Sequence, residues 1–266
     1  MILRDKFWLW GHPEGIYNNM FGNDRVSRMT PMEACAYLGI RNVFMVPVGT
    51  DLNERQYNKS FRNLNGVGWG YCFFCKKYWK FDSVIDTIFE NARNFPNINC
   101  VAFDDYKLEG IYKTVPTGEI QKVIDRLHNE GPRRLDCWMT LYIREFGDSS
   151  DEDGDFQKHI DLMDGIVMWN WCESDYESIP KKFEIFKKIT AKKRRMCGCY
   201  LYNFGESKPA SPEAVKWQLD WYREKILSGE IEGVVLHTNT MADVDYEAYD
   251  VACDWLDKHG DEIVSD

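Results

Sequence analysis

The sequence is short of positive charge and of histidine. Its 266 residues hold 33 Lys+Arg against 43 Asp+Glu and five His, for a formal net charge of −10. A surface of that sign repels phosphate backbones, so nucleic acid is not an expected partner. The basic runs Lys76-Lys77 and Lys192–Arg195 are short, lie between apolar segments and read as solvated edges. No apolar run reaches the roughly 18 residues of a membrane span, so no membrane partner is expected. Phe7–Trp10 is too short for the apolar stretch of a secretion signal, and no small-residue cleavage site follows it. Nine cysteines, an odd number without such a signal, suggest reduced thiols and a cytoplasmic location. Cys72 and Cys75 have the C-x-x-C spacing of a metal half-site or redox pair, and Cys197 and Cys199 sit in an apolar, strand-like run. Packing as small hydrophobes is the simpler reading of both pairs. Neither cofactor nor metal is expected.

What the chain has in quantity is aromatic rings: 15 Phe, 14 Tyr and 10 Trp. Trp is costly to place, because its N–H needs a partner when buried. Ten of them ask for a role beyond core filling.

Along the chain, short apolar runs recur, each followed by an amphipathic stretch. The strand-like runs are Lys6–Gly11, Asn42–Val48, Val67–Cys75, Asn99–Phe103, Leu135–Tyr142, Gly165–Trp171, Met196–Tyr202 and Ile231–His237. Helical patterns cover Thr30–Leu38, Phe81–Asn94, Thr117–Asn129, Phe156–Met163, Tyr176–Thr190, Pro212–Leu227 and Tyr246–His259. Thr30, Pro31 and Glu33 form a capping-box start, and Gly131-Pro132 and Gly260 supply stops. Strands alternating with helices imply βαβ units and a parallel sheet. The runs lack strict alternation, as strands buried on both faces do. A doubly wound sheet would carry a G-x-G-x-x-G turn after its first strand. Here that strand ends in Gly11-His12-Pro13-Glu14-Gly15. Eight units in this length instead predict a single (β/α)8 TIM barrel over residues 1–266. The passage Gly49–Gly66 is the one long connection, and could fold over the mouth.

Barrel sites lie at the C-terminal ends of the strands. Reading those ends gives His12 and Glu14, Thr50 and Asp51, Asp104, Asp105 and Tyr106, Tyr142, Arg144 and Glu145, Asn170, Trp171 and Glu173, Tyr202–Phe204, then His237, Thr238 and Asn239. The pair Asp104-Asp105 directly follows Val101-Ala102-Phe103. Two acids closing a buried strand are costly unless used or solvated. Alternation puts Asp104 on the face of Ala102, where a small side chain leaves room, so Asp104 is expected to face the pocket. An Asx turn with one solvated acid is the alternative.

The run Phe103-Asp104-Asp105-Tyr106 resembles the fourth-strand end of TIM-barrel glycoside hydrolase-like proteins, in which an acid at that place is catalytic or binds sugar. The resemblance covers four residues. The Asn-Glu pair of many barrel glycosidases and the D-x-x-D-x-D-x-E run of chitinase-like ones are both absent. It implies a carbohydrate-active enzyme working with paired carboxylates on a small glycoside or oligosaccharide. Glycoside hydrolysis needs two carboxyl groups, one kept protonated and one ionised. The expected catalytic residues are therefore Asp104 and Asp105, with Glu173 or Glu145 as partner acid. A helix cap (Glu173) and a loop ion pair with Arg144 (Glu145) are their alternatives.

Flat rings with a polar tip suit sugar C–H faces. Trp10, Tyr106, Tyr142, Trp169 and Trp171 are the expected platforms, and His12, Asn203, His237 and Asn239 the expected hydrogen-bonding residues. Trp217, Trp221 and Trp255 lie on helices and read as packing. Two other readings stand beside this one. His12 and His237, neighbours in a closed barrel, could with Asp104 or Glu14 bind a metal, as in a metal-dependent sugar isomerase, aldolase or amidohydrolase-like hydrolase. The H-x-H start of the amidohydrolase-like barrels is missing, however. A carbohydrate-binding barrel without catalysis is the third reading.

Overall fold

The computed structural model describes residues 1–48, 52–71, 81–108, 110–147 and 154–264. Eight parallel strands close into a barrel: β1 (Phe7–Gly11), β2 (Asn42–Met45), β3 (Gly66–Tyr71), β4 (Ile98–Phe103), β5 (Asp136–Tyr142), β6 (Gly165–Trp169), β7 (Arg194–Tyr200) and β8 (Gly233–His237). Each strand pairs with its sequence neighbours, and β1 closes the ring on β8 with Trp10 beside His237. The helices are α1 (Pro31–Tyr37), α2 (Glu54–Ser60), α3 (Phe81–Asn94), α4 (Ile111–Thr114), α5 (Thr117–Asn129), α6 (Gly154–Leu162), α7 (Ile179–Ile189), α8 (Pro212–Leu227) and α9 (Glu247–His259). None among the described residues is long and apolar enough to cross a membrane.

The (β/α)8 barrel expected from the alternation is the one observed. The capping box at Thr30 forms, with Glu33 N donating to Thr30 Oγ1 and Thr30 N to Glu33 Oε2. Ser211 caps α8 by accepting from Ala214 N. Three features were not anticipated. The passage before β3 contains α2, whose Tyr57 donates to Glu14 beyond β1 at 2.7 Å. The 3-10 turn Glu173–Ser178 precedes α7. A two-stranded antiparallel ribbon, Tyr202–Asn203 with Lys208–Pro209, follows β7. Thr50, Asp51, Cys72 and Cys75 lie outside the described residues. Cys197 and Cys199 are free, buried thiols on β7, as packing requires.

The barrel interior is filled by rings. Trp8 and Trp10 of β1 both pack on Phe44 of β2, at 4.6 and 5.4 Å between centroids, and Trp10 meets Trp169 of β6 edge-on at 5.6 Å. Phe44 also meets Trp138 of β5 at 6.5 Å. Rings of this size fit only where neighbouring strands yield volume. A Cβ on Gly198 of β7 would stand 1.9 Å from Trp169 Cε3, and one on Gly165 would stand 2.3 Å from Trp138 Cζ3. Beneath Trp138, at the N-terminal end, Arg194 lies 4.9 Å from the ring and is paired with Asp136 and Glu232. Part of the aromatic excess is thus a barrel filling matched to glycines.

Gly198→Ala should therefore destabilise the fold by at least about 2 kcal/mol, the range of core overpacking. Urea unfolding measures it, and pairing the change with Trp169→Leu should recover part of the loss by making room.

Candidate active site

At the C-terminal end of β4 the chain leaves the barrel wall through Asp104 and Asp105. Asp105 adopts a left-handed backbone conformation, φ 48°, which Asp tolerates better than most residues. This turn brings the two carboxyls onto a shared set of donors. Asp105 N donates to Asp104 Oδ1 at 3.0 Å and to Thr140 Oγ1 at 2.7 Å, while the Thr140 hydroxyl lies 3.4 Å from Asp104 Oδ1 as donor. Tyr142, two residues on along β5, donates its phenol to Asp105 Oδ1 at 2.9 Å. Two successive same-face residues of one strand thus hold the acids closing the next.

Burial, and then the neighbouring Asp105, push the Asp104 carboxyl well above the usual carboxylate range. Glu145, in the 3-10 turn after β5, joins the same field. Its Oε2 accepts from Tyr142 N at 2.7 Å, and its buried Oε1 has no hydrogen-bond partner among the described residues. Burial first, with Asp105 adding to it, raises the Glu145 carboxyl to about 7 against the backbone hydrogen bond that lowers it. The arrangement is three carboxyls at one barrel rim, with two of them disposed to keep a proton.

The aromatic wall continues from this point. The Tyr200 phenol stands 3.5 Å from that of Tyr142. Trp171 packs edge-on against both rings, at 6.0 Å from Tyr142 and 5.6 Å from Tyr200, and the Arg144 guanidinium lies 5.7 Å from the Trp171 ring. Trp171 and Arg144 keep solvent exposure, whereas Tyr142 and Tyr200 are buried. Tyr200 leads on to His237 at 4.6 Å between rings. His237 Nε2 lies 3.2 Å from His12 Nε2, and the Tyr17 phenol lies 3.2 Å from the same nitrogen of His12. His12 Nδ1 lies 3.1 Å from the carbonyl of Val46, which can only accept, so that nitrogen carries the proton. Burial lowers the His12 pKa to about 4 and that of His237 well below its usual value. Both rings are neutral at pH 7.

The expected site residues divide accordingly. Asp104, Asp105, Glu145, Tyr142 and Trp171 are gathered on one side of the mouth, and His12 and His237 sit together on β1 and β8. Six others are not brought there. Tyr106 is fully buried and bonds His159 of α6 at 2.7 Å, because the turn at Asp105 sends it outward. The Glu173 carboxylate accepts from Ser211 N at the start of α8, a capping role in place of a catalytic one. Asn203 accepts from Glu206 N and is itself a cap. Asn239 spends its amide on the backbone of His12 and Met29, and so fixes where β1 ends. Trp10 and Trp169 are 3% and 1% exposed and belong to the interior filling. The sequence reading missed Thr140, Tyr200 and Tyr17. The first two are in phase with Trp138, Tyr142 and Gly198, so the period-2 pattern of β5 and β7 could have found them. Tyr17 lies on an irregular loop and carries no such signal.

No family model and no curated protein matches the sequence. Among solved structures, the chain is similar to the active domain 2 of a chitinase from Pyrococcus furiosus: TM-score 0.62, 11% identity, 96% of each chain covered. It is also similar to a family GH18 chitinase from Cycas revoluta (TM-score 0.54, 10% identity, 93% of this chain and 98% of that one). A coenzyme F420 dependent tetrahydromethanopterin reductase from Methanopyrus kandleri aligns comparably (TM-score 0.54, 9% identity, 96% and 99%). These likenesses show the barrel fold, which hosts many chemistries.

A carboxyl with a raised folded-state pKa binds more protons folded than unfolded, so stability falls as pH rises. For Glu145 the window runs from about 4.5 to about 7. Unfolding at several pH values should show stability declining across that window, and Glu145→Gln should flatten the decline in part. Asp104, shifted in the same direction, accounts for what remains.

Proposed function

We propose that the protein is a glycoside hydrolase acting on a small neutral glycoside or oligosaccharide. The observation that carries this reading is the acid pair ending β4: Asp104, bonded by the Asp105 amide and the Thr140 hydroxyl and pushed well above the usual carboxylate range by burial, beside Asp105, held by the Tyr142 phenol. One carboxyl disposed to give a proton and a second positioned next to it are the components that glycosidic cleavage requires. Asp104 is the general acid. It passes its proton to the glycosidic oxygen as the bond from the anomeric carbon to that oxygen breaks. Asp105 faces the positive charge that develops on the sugar, and water then bonds to the anomeric carbon and gives its proton to the Asp104 carboxylate, which restores the acid. Tyr142 positions Asp105 and shares its phenol with Tyr200. Glu145, raised to about 7 mainly by burial, is a second carboxyl able to hold a proton there. The ring of Trp171, half-buried beside them, is the platform for a sugar C–H face.

The chitinases that the fold resembles make amino-sugar glycosides the first substrates to try. The lack of the D-x-x-D-x-D-x-E run argues against transferring their catalytic residues one for one. Neutral polyols suit the acid-rich rim better than anions do.

The experiment is a panel of aryl glycosides, followed by oligosaccharides, at pH 5 to 8. Turnover is expected to fall as pH rises and Asp104 loses its proton. Asp104→Asn should lower kcat by about 10²–10⁴-fold, the usual contribution of a general acid, and Tyr142→Phe should lower it less. Sugar binding without turnover on any substrate would move the assignment to a carbohydrate-binding barrel. Turnover unaffected by Asp104→Asn would refute the role of Asp104 as general acid.

A further inference from the structure

Across the mouth from the acids, the structure holds a donor set that the hydrolysis does not use. His12 closes β1 and His237 closes β8, adjacent strands whose ends bring the two Nε2 atoms to 3.2 Å. The Tyr17 phenol oxygen comes to 3.2 Å from His12 Nε2. The three rings form one cluster, with centroids 5.1 Å apart for His12 edge-on to His237, 5.1 Å for His12 edge-on to Tyr17 and 6.0 Å for Tyr17 stacked with His237. Both imidazoles are buried.

We propose that His12 Nε2, His237 Nε2 and Tyr17 Oη form a binding site for a zinc-class divalent cation, a role distinct from glycoside cleavage. Three features carry it. The first is spacing: two nitrogens each about 2.0–2.1 Å from a tetrahedral zinc ion stand about 3.3 Å apart. The observed 3.2 Å leaves the cation's place between them with almost no movement of either ring. The second is the tautomer. His12 Nδ1 donates to the Val46 carbonyl, so Nε2 must present its lone pair inward. A ligating histidine anchored through its other nitrogen to a backbone carbonyl is the usual outer support of a metal site. The third is the anchoring of the backbone: the Asn239 side chain accepts from His12 N and donates to His12 O, fixing the position from which the ring projects. Two nitrogens and one oxygen leave a fourth position of the ion for water or for an oxygen of a polyhydroxylated ligand.

A different cluster, His128, Cys137 and Asp164, also places three ligand types within 4.8 Å. There, Asp164 already pairs with His128 and Arg134 and accepts from Cys137 N, so its oxygens are committed. It serves as the internal comparison.

The test uses the full chain after dialysis against a chelator, titrated with Co²⁺ and followed by visible absorption and thermal unfolding. One equivalent of Co²⁺ is expected to develop the intense d–d absorption of a tetrahedral site. Zn²⁺ should abolish that absorption by displacement, and either ion should raise the unfolding midpoint. His12→Gln should weaken Co²⁺ binding by more than about 100-fold, beyond the effect of losing an outer support. Tyr17→Phe, at a half-buried position, should retain the absorption with altered band shape and reduced affinity. His128→Gln should leave the Co²⁺ absorption and affinity unchanged. The proposal is overturned if neither ion alters the spectrum or the midpoint, which leaves the imidazoles joined by an N–H···N bond alone. It is equally overturned if Co²⁺ binding survives His12→Gln and is lost in His128→Gln. None of these readouts depends on glycosidase activity.

Discussion

Everything at the mouth of this barrel depends on how its interior is filled. An eight-stranded barrel has a fixed bore, and side chains must fill it without voids or overlap. Here large rings do so, each allowed by a strand position with no side chain. Trp169 occupies the space that any Cβ at Gly198 would claim, and Trp138 does the same over Gly165. From Trp169 the contacts pass upward to Tyr200 at 4.9 Å and to His237 at 5.9 Å. The residues that face a ligand are therefore set by packing below them.

On that base the acids are tolerated because each has a donor. Asp104 has the Asp105 amide and the Thr140 hydroxyl, and Asp105 has the Tyr142 phenol. Adjacent carboxyls cannot both ionise without mutual cost, and desolvation adds to it. The resulting asymmetry, with the Asp104 carboxyl pushed upward beside a hydrogen-bonded partner, follows from where β4 ends and how β5 lies against it. Backbone pairing places Phe103 beside Met139, one residue before Thr140. A slip of one residue between these strands would turn Thr140 and Tyr142 away from the acids.

The barrel was legible in the sequence because its strands are buried on both faces and its helices carry strong caps; α3, α5 and α8 have the expected bounds. The phase of Asp104 with Ala102 matches its place beside Thr140 of β5. The roles of Tyr106, Glu173, Asn203 and Asn239 were not legible. Each stands at a strand end and has the right chemistry, and each is diverted by a local partner that only the folded chain supplies: His159, Ser211 N, Glu206 N and the backbone of His12. Tyr17 reaches the imidazoles from a loop without periodicity. Residue type at a strand end indicates what a side chain could do. The turn that follows decides whether it is free to do it.

The closed strand order has one more consequence. The acids follow β4 and β5, the imidazoles stand at the ends of β8 and β1, and these pairs of strands lie on opposite sides of the ring. A ligand that touches both must bridge the bore, whose width is set by strand number and tilt rather than by any loop. The separation of the two groups is thus a length fixed by the closure of the sheet, and a molecule too short to span it would meet one wall or the other.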